Sequence, residues 1–349
     1  MEVFVPHLKD RNIYLDEIIN FSNCTFIFND FNSYETTYEI VNIQFPEAIF
    51  KWIVPSDEQL IDLEKKILMW KKHSKIIYTL NDIKSHYNEN NQYNHLFRLI
   101  QKHADGVIHL GEYSLAKYKF LFSQNCIHTV IYHPLYESLI KDFTIDSFQE
   151  KYNLDFKNKY IVSVIGEVRS KEEVKFIFEI FKRIPLKNKF LVVPNMLMYN
   201  ALPTFFPYRF RKVYRKIEEF LFCYPLLKKQ YFFGFKFVEY KYMVDLVKQS
   251  SLLIIPRTKN LNSGNLYLAL SFDKPMIIPK VGNQTEIINL FNFPAINLKT
   301  KNYKEVIDSI VINGKPFFKT KDYLEKKEKF MPKNIAAQYD LFFYKLINY

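Results

Sequence analysis

The feature that most constrains this chain is the alternation, along most of its length, of short apolar runs with longer amphipathic ones. "CTFIFND", "YEIVNIQF", "KIIYTL" and "GVIHL" are compact runs rich in β-branched and aromatic residues. They read as buried strands. Between them, "SDEQLIDLEKKILMWKKH", "YNHLFRLIQKHA" and "SLAKYKFLFS" carry helical spacing, the first with Ser56 as its N-cap. Strands separated by helices of this length pair in parallel, as βαβ units. "CIHTVIYHPLY" closes the first set. A polar stretch at 144–158 breaks the pattern and reads as a linker. The alternation then resumes with "KYIVSVIG", "KEEVKFIFEIFKRI", "KFLVVP", "QYFFGF", "EYKYMVDLVKQS", "SLLIIP" and "PMIIPK". The expectation is an α/β chain of two doubly wound halves, 1–150 and 151–328. The remainder, 329–349, holds a separate amphipathic helix in "PKNIAAQYDLFFYKLINY". A chain of 349 residues is also long for one core.

Composition narrows the function classes. No apolar run reaches the ~20 residues of a membrane span, and "MEVFVPHLKDRN" lacks the pattern of a cleaved signal. Cys24, Cys126 and Cys223 are odd in number and widely spaced, which points to a reducing, cytoplasmic compartment without a disulfide or zinc framework. A net charge of +12 fits an anionic partner, and equally a bias towards Lys and Asn codons.

Ligands of doubly wound sheets bind beyond the carboxyl ends of the strands. The residues there include Glu47, Asn81, Asp82 and His86 in the first half, and Gly166 to Lys171 and Arg257 to Asn265 in the second. In "VSVIGEVRSKEEV", Gly166 precedes Arg169 and Lys171 at the start of a helix, where unpaired N–H groups and positive charge suit a diphosphate. In "RTKNLNSGNLYLAL", Asn262 or Ser263 can cap a helix, and Gly264, one of only seven glycines, leaves room for phosphate or sugar. Two such turns in one half read as a nucleotide-diphosphate site. The ordinary alternatives are a capped helix and solvated basic side chains.

The stretch "IIPRTKNLNSGNLYLALSFDKPMIIPKVGNQTEI" resembles the donor-site region of GT-B glycosyltransferases. It is most similar to a family-4-like bacterial branch that makes capsule and exopolysaccharide, with the pattern "LPYRxxLNSGxxxLALxxGxPVIxPxxG". "GEVRSKEEV", "VNIQFPEAIFKW" and "YTLNDIKSH" are similar to further motifs of that branch, so the resemblance runs from about residue 38 to 288. It implies a GT-B fold: an N-terminal acceptor-side domain, a C-terminal nucleotide-sugar domain and a last helix crossing back. It implies donor contacts from Gly166, Arg169, Lys171, Arg257, Asn262, Ser263, Gly264 and Asn265. Glu47, Asn81, Asp82 and His86 would face the acceptor, with Asp82, Glu47 or His86 as the base. The chain departs from the pattern at Gln44 and Asn81, where the branch has histidines, and at Leu261 and Ala269, where many relatives have a glutamate pair.

No Asp-x-Asp motif occurs, so no metal or other cofactor is expected, with Arg169 and Lys171 meeting the diphosphate charge. A basic, aromatic insertion, "PYRFRKVYRKIEEFLF", places Arg209, Arg211, Lys212, Arg215 and Lys216 opposite an apolar helix face. That suits the inner face of a membrane and a lipid-linked or oligosaccharide acceptor. It suits equally a helix covering the second domain. No RNA- or DNA-binding motif accompanies it, so nucleic acid is not expected. His109 and His133 also follow strands, but neither has a metal-spaced partner. The sequence reading is a cytoplasmic, peripheral hexosyltransferase. Its rivals are a non-catalytic sugar-nucleotide-binding scaffold and a sugar-nucleotide epimerase on the same fold.

Overall fold

A computed structural model describes residues 1–9, 12–84, 91–141, 145–196, 230–314 and 320–349, together with 213, 216, 217 and 318. The first six strands are β1 (Glu2–Val5), β2 (Thr25–Phe28), β3 (Ile40–Ile43), β4 (Lys75–Leu80), β5 (Gly106–His109) and β6 (Ile127–Val130). They form a wholly parallel sheet in the order β2-β1-β3-β4-β5-β6. Its flanking helices include α1 (Ile13–Ile19), α2 (Asp57–Trp70), α3 (Asn91–His103) and α4 (Glu112–Tyr118). Ser56 caps α2 in a full capping box with Gln59. Leu60, Leu63, Ile67 and Trp70 follow at helical spacing and are buried against the sheet. The expected helix "SLAKYKFLFS" begins two residues earlier, at Glu112. Its α-helical part ends at Tyr118, where a tighter turn, Lys119–Leu121, takes over.

The second sheet is parallel as well, in the order β11-β10-β7-β8-β9. Its strands are β7 (Tyr160–Ser163), β8 (Lys189–Val193), β9 (Tyr231–Phe233), β10 (Leu252–Ile254) and β11 (Met276–Ile277). Around it lie α5 (Lys171–Arg183), α6 (Tyr240–Gln249), α7 (Gly264–Ser271) and α8 (Gln284–Leu290). The polar passage between the sheets is more than a spacer. Phe148 and Phe156 from it are buried in the second core, and the Phe148 N–H donates to Asp245 Oδ2 at 2.8 Å.

The last helix, α9 (Pro332–Ile347), returns to the first sheet. Ile335, Tyr339, Phe342, Phe343 and Leu346 pack against Val3, Val5, Ile77 and Ile108. The contact is specified by polar groups too. The buried Asp340 carboxylate accepts from the Asn23 backbone at 2.8 Å and the Ser22 hydroxyl at 2.5 Å, and the Tyr14 and Tyr339 hydroxyls lie 2.7 Å apart. Gly106 makes this docking close, because a Cβ there would sit 2.4 Å from Leu346.

Truncating the fully buried Phe343 to Ala should cost about 3–5 kcal/mol in urea unfolding. Leu341→Ala, on the outer face of the same helix and 71% exposed, should stay within about 0.5 kcal/mol of wild type. Equal losses from the two would mean that α9 is not docked this way.

Candidate functional site

The carboxyl ends of the two sheets face each other across a cleft of about 470 Å³. Six of the residues expected from sequence line it: Glu47, Asn81 and Asp82 from the first domain, and Arg169, Asn262 and Gly264 from the second. His86 lies outside the described residues, as do Arg209, Arg211, Lys212 and Arg215. Lys216 is exposed, and so are Val213 and Ile217.

In the second domain the wall is built around one buried ion pair. Arg257, which follows β10, is 5% exposed, and its Nη1 donates to both oxygens of Glu173, at 2.8 and 2.9 Å. Its Nη2 donates to the Glu167 carbonyl at 2.8 Å. Glu173 sits in the first turn of α5 and also accepts the Arg169 backbone N–H at 2.7 Å. Ser170 caps the same turn by accepting from Glu173 N. Arg257 therefore lies behind the cleft wall and positions the loop from which the Arg169 side chain enters it. Burial pulls the Arg257 guanidinium below its ordinary pKa, against the opposing pull of Glu173. Lys171 is exposed at the first position of α5.

The start of α7 adjoins this loop. The Asn265 side chain donates to the carbonyl of Ile165, just after β7, and lies beside Gly166, whose φ of +85° is left-handed. Ser263 occupies the N-cap position but forms no side-chain cap bond; its Oγ is buried without a protein hydrogen-bond partner. Gly264 has a definite steric reason. A Cβ there would lie 2.7 Å from the Tyr136 hydroxyl, which enters from the crossing segment after β6.

Across the cleft, Glu47 is 4% exposed in a tight turn, Pro46–Phe50, after β3. Asn81 Nδ2 donates to the Gln44 carbonyl at 2.9 Å, and the Asn81 carbonyl accepts from Asn262 Nδ2 at 2.7 Å. Gln44 and Asn81, which stand where the branch pattern has histidines, thus bond to each other, and Asn81 bonds to the opposite domain. Burial, then the Glu47 and Asp82 carboxylates, hold the Tyr78 hydroxyl well above the ordinary phenol range.

This arrangement is similar to several solved structures. Anabaena HepE in complex with UDP superposes with a TM-score of 0.65 at 12% identity, covering 99% of each chain. Sucrose-phosphate synthase of Thermosynechococcus elongatus gives 0.62 at 14% identity, over 89% of this chain and 74% of that one. A glycosyltransferase from Rickettsia africae gives 0.60 at 11%, over 99% and 98%. The chain has the GT-B fold. No family model and no curated protein matches its sequence. Among the described residues, no three His, Cys, Asp or Glu side chains are grouped so as to hold a metal ion, and no helix is long and apolar enough to cross a membrane.

Several cleft residues of this GT-B pair of domains escape sequence reasoning, His133 among them. His133, which reads as a mere strand end before a proline, lines the cleft beside Tyr14 and Tyr136. Its ring stacks on Tyr267 of α7 at 4.5 Å. Nδ1 lies 2.6 Å from the Pro134 carbonyl, which can only accept, so the neutral ring carries its proton there. Nε2 then accepts from Tyr136 at 3.2 Å. The one available signal was its place after a strand, on the ligand side of the sheet. His109, by contrast, is buried away from the cleft, with Nε2 2.9 Å from His128 Nδ1.

Two predictions test this architecture. Glu173→Ala strands the Arg257 guanidinium and should cost about 3–5 kcal/mol in thermal unfolding, whereas Arg169→Ala should leave the melting temperature near wild type. The second concerns pH. Burial lowers the His133 pKa to about 4 from an ordinary 6.5. The unfolded chain therefore binds a proton that the folded chain refuses, so stability is full above pH 6.5 and falls as pH drops towards about 4. At about pH 5 the loss from this group is about 2 kcal/mol. Melting curves of His133→Gln should show a smaller drop between neutral pH and pH 5 than wild type; an identical drop would remove His133 as its source.

Proposed function

We propose that this chain transfers a sugar from a UDP-sugar to a glycan acceptor. The observation that carries the reading is the opposition, across one cleft, of Arg169 and the Gly264 helix start to Glu47 and Asp82. Support comes from HepE, solved with UDP, with UDP and glucose, and with UDP-glucose. The buried, unpartnered hydroxyl of Ser263 next to Gly264 also favours an anionic or hydroxyl-bearing ligand there.

In the transfer, the bond from the sugar C1 to the diphosphate oxygen breaks and the electron pair leaves with UDP. The acceptor oxygen bonds to C1 and gives up its proton. Arg169 and the N–H groups opening α7 meet the charge growing on the diphosphate without requiring a metal. Gly166 and Asn265 shape that wall, while Arg257 acts through Glu173. On the other side, Glu47 and Asp82 are the acceptor-facing carboxylates, and neutral His133 offers an imidazole at the junction. The finer reading is a hexosyltransferase acting on a lipid-linked glycan in capsule, exopolysaccharide or O-antigen assembly, working at the inner membrane face. The LNSG box and the basic insertion around Lys216 support it.

A thermal-shift series with UDP-, GDP- and dTDP-sugars tests the donor assignment, since a ligand of the folded state raises its melting temperature. UDP-sugar should raise it, and Arg169→Ala should weaken that affinity roughly 10–100-fold, the size of a charge-assisted hydrogen bond. No shift with any nucleotide sugar overturns the reading. A shift without UDP release on any glycan acceptor favours the non-catalytic scaffold, which the Gln44 and Asn81 replacements already suggest.

A further inference from the structure

One segment of the first domain, Phe45–Trp52, supplies the cleft with four residues: Pro46, the aromatic Phe45 and Trp52, and the acidic Glu47. The turn is built to present them. After Pro46–Phe50, both Lys51 and Trp52 adopt left-handed backbone, at φ 55° and 63°. Two consecutive non-glycine residues there are strained, at about 1–3 kcal/mol each, and such strain persists where surrounding bonds impose it, often at ligand clamps. Here the Trp52 N–H donates to the Glu47 carbonyl at 2.9 Å, and the Tyr93 hydroxyl donates to the Trp52 carbonyl at 3.0 Å. The first bond fixes the backbones of Glu47 and Trp52 relative to one another. The Phe45 and Trp52 rings lie 5.8 Å apart, inclined at 43°. Trp52 nevertheless remains 42% exposed, and on the opposite domain Phe237, also lining the cleft, is 56% exposed.

An indole presented from a strained turn, with 42% of its surface still open beside a cleft, offers apolar area to an occupant. A ligand chemistry that suits both kinds of side chain is a pyranose ring. Its C–H face lies against an aromatic face, while its hydroxyls donate to a carboxylate, which only accepts. We infer that Trp52, with Phe45 and Glu47, forms the subsite that seats a pyranose unit of the acceptor glycan, on the wall opposite the donor. This rests on the transferase reading for the word acceptor, but sugar binding at Trp52 can be measured without it.

The protein has two tryptophans, and the other, Trp70, is fully buried, so the difference in emission between wild type and Trp52→Phe reports on Trp52 alone. The probes are methyl glycosides and trisaccharides of glucose, galactose and N-acetylglucosamine at millimolar concentrations. At least one should shift the Trp52 emission saturably and shield it from acrylamide, and UDP alone should not. Trp52→Ala should weaken that sugar at least 10-fold while UDP-glucose still raises the melting temperature as in wild type. If no probe perturbs Trp52, or if Trp52→Ala binds the sugars as wild type does, the subsite is overturned while the donor reading stands. If sugars act on Trp52 but no nucleotide sugar shifts the melting curve, the subsite stands and the transferase reading falls.

Discussion

Everything in the cleft depends on how the second domain satisfies the start of one short helix in the first. The opening N–H groups of α4 have no partners within the helix. Glu286, in α8 of the other domain, accepts from Glu112 N at 2.9 Å and from Tyr113 N. Asn283 accepts from Ser114 N at 2.9 Å and donates to Ser114 Oγ at 3.1 Å and to Asn262 Oδ1 at 2.8 Å. Asn262 in turn donates to the Asn81 carbonyl. A carboxylate at a helix N-terminus also gains from the helix dipole. Gly111 permits the approach, since a Cβ there would lie 2.7 Å from the Asn283 side chain. This seam sets the turn after β4 against the turn after β10, and so holds Asp82 and Asn262 on facing walls.

The two walls are made rigid by different means. In the second domain a carboxylate and a guanidinium are buried together, which is a poor route to stability because desolvation offsets the attraction. What the pair does achieve is position: Glu173 takes two bonds from Arg257 and one from the Arg169 backbone. In the first domain the rigidity is in the backbone itself, in the left-handed pair Lys51 and Trp52. Both devices hold a side chain at the end of a strand without letting the loop relax around it.

The alternation of periods was enough to read ten of the eleven strands, because burial on both faces of a parallel sheet leaves a continuous apolar run. The one overlooked, β1, is four residues long at the very terminus, yet it lies inside the sheet between β2 and β3. Nothing local in "MEVFVP" announces that position; pairing at a distance decides it. The same limit applies to the site. Glu47, Asn81, Asp82, Arg169, Asn262 and Gly264 were legible as strand-end residues, and the structure gathers them in one cleft. From sequence Arg257 reads as a ligand contact, because only its partner Glu173, 84 positions earlier, reveals its burial. Gly264 reads as room for a ligand, whereas Tyr136, 128 positions earlier, is what a Cβ there would strike first. Phe148 and Phe156 sat in a stretch that looked polar on average, and their burial depends on α6, far along the chain.

Charge is distributed across the cleft in the sense a group transfer needs. Arg169 belongs to the wall that would hold the diphosphate, and Glu47 and Asp82 to the wall that would hold the hydroxyl. The same cleft is lined by an imidazole that burial keeps neutral at physiological pH, with its Nδ1 committed to a carbonyl. A protonated histidine there would add a second cation beside Arg169 and help the leaving group, but it could accept nothing. A neutral one keeps a lone pair at Nε2, now taken by Tyr136. Burial by Tyr14, Tyr136 and Tyr267 is therefore what keeps His133 from adding to the positive charge of the cleft.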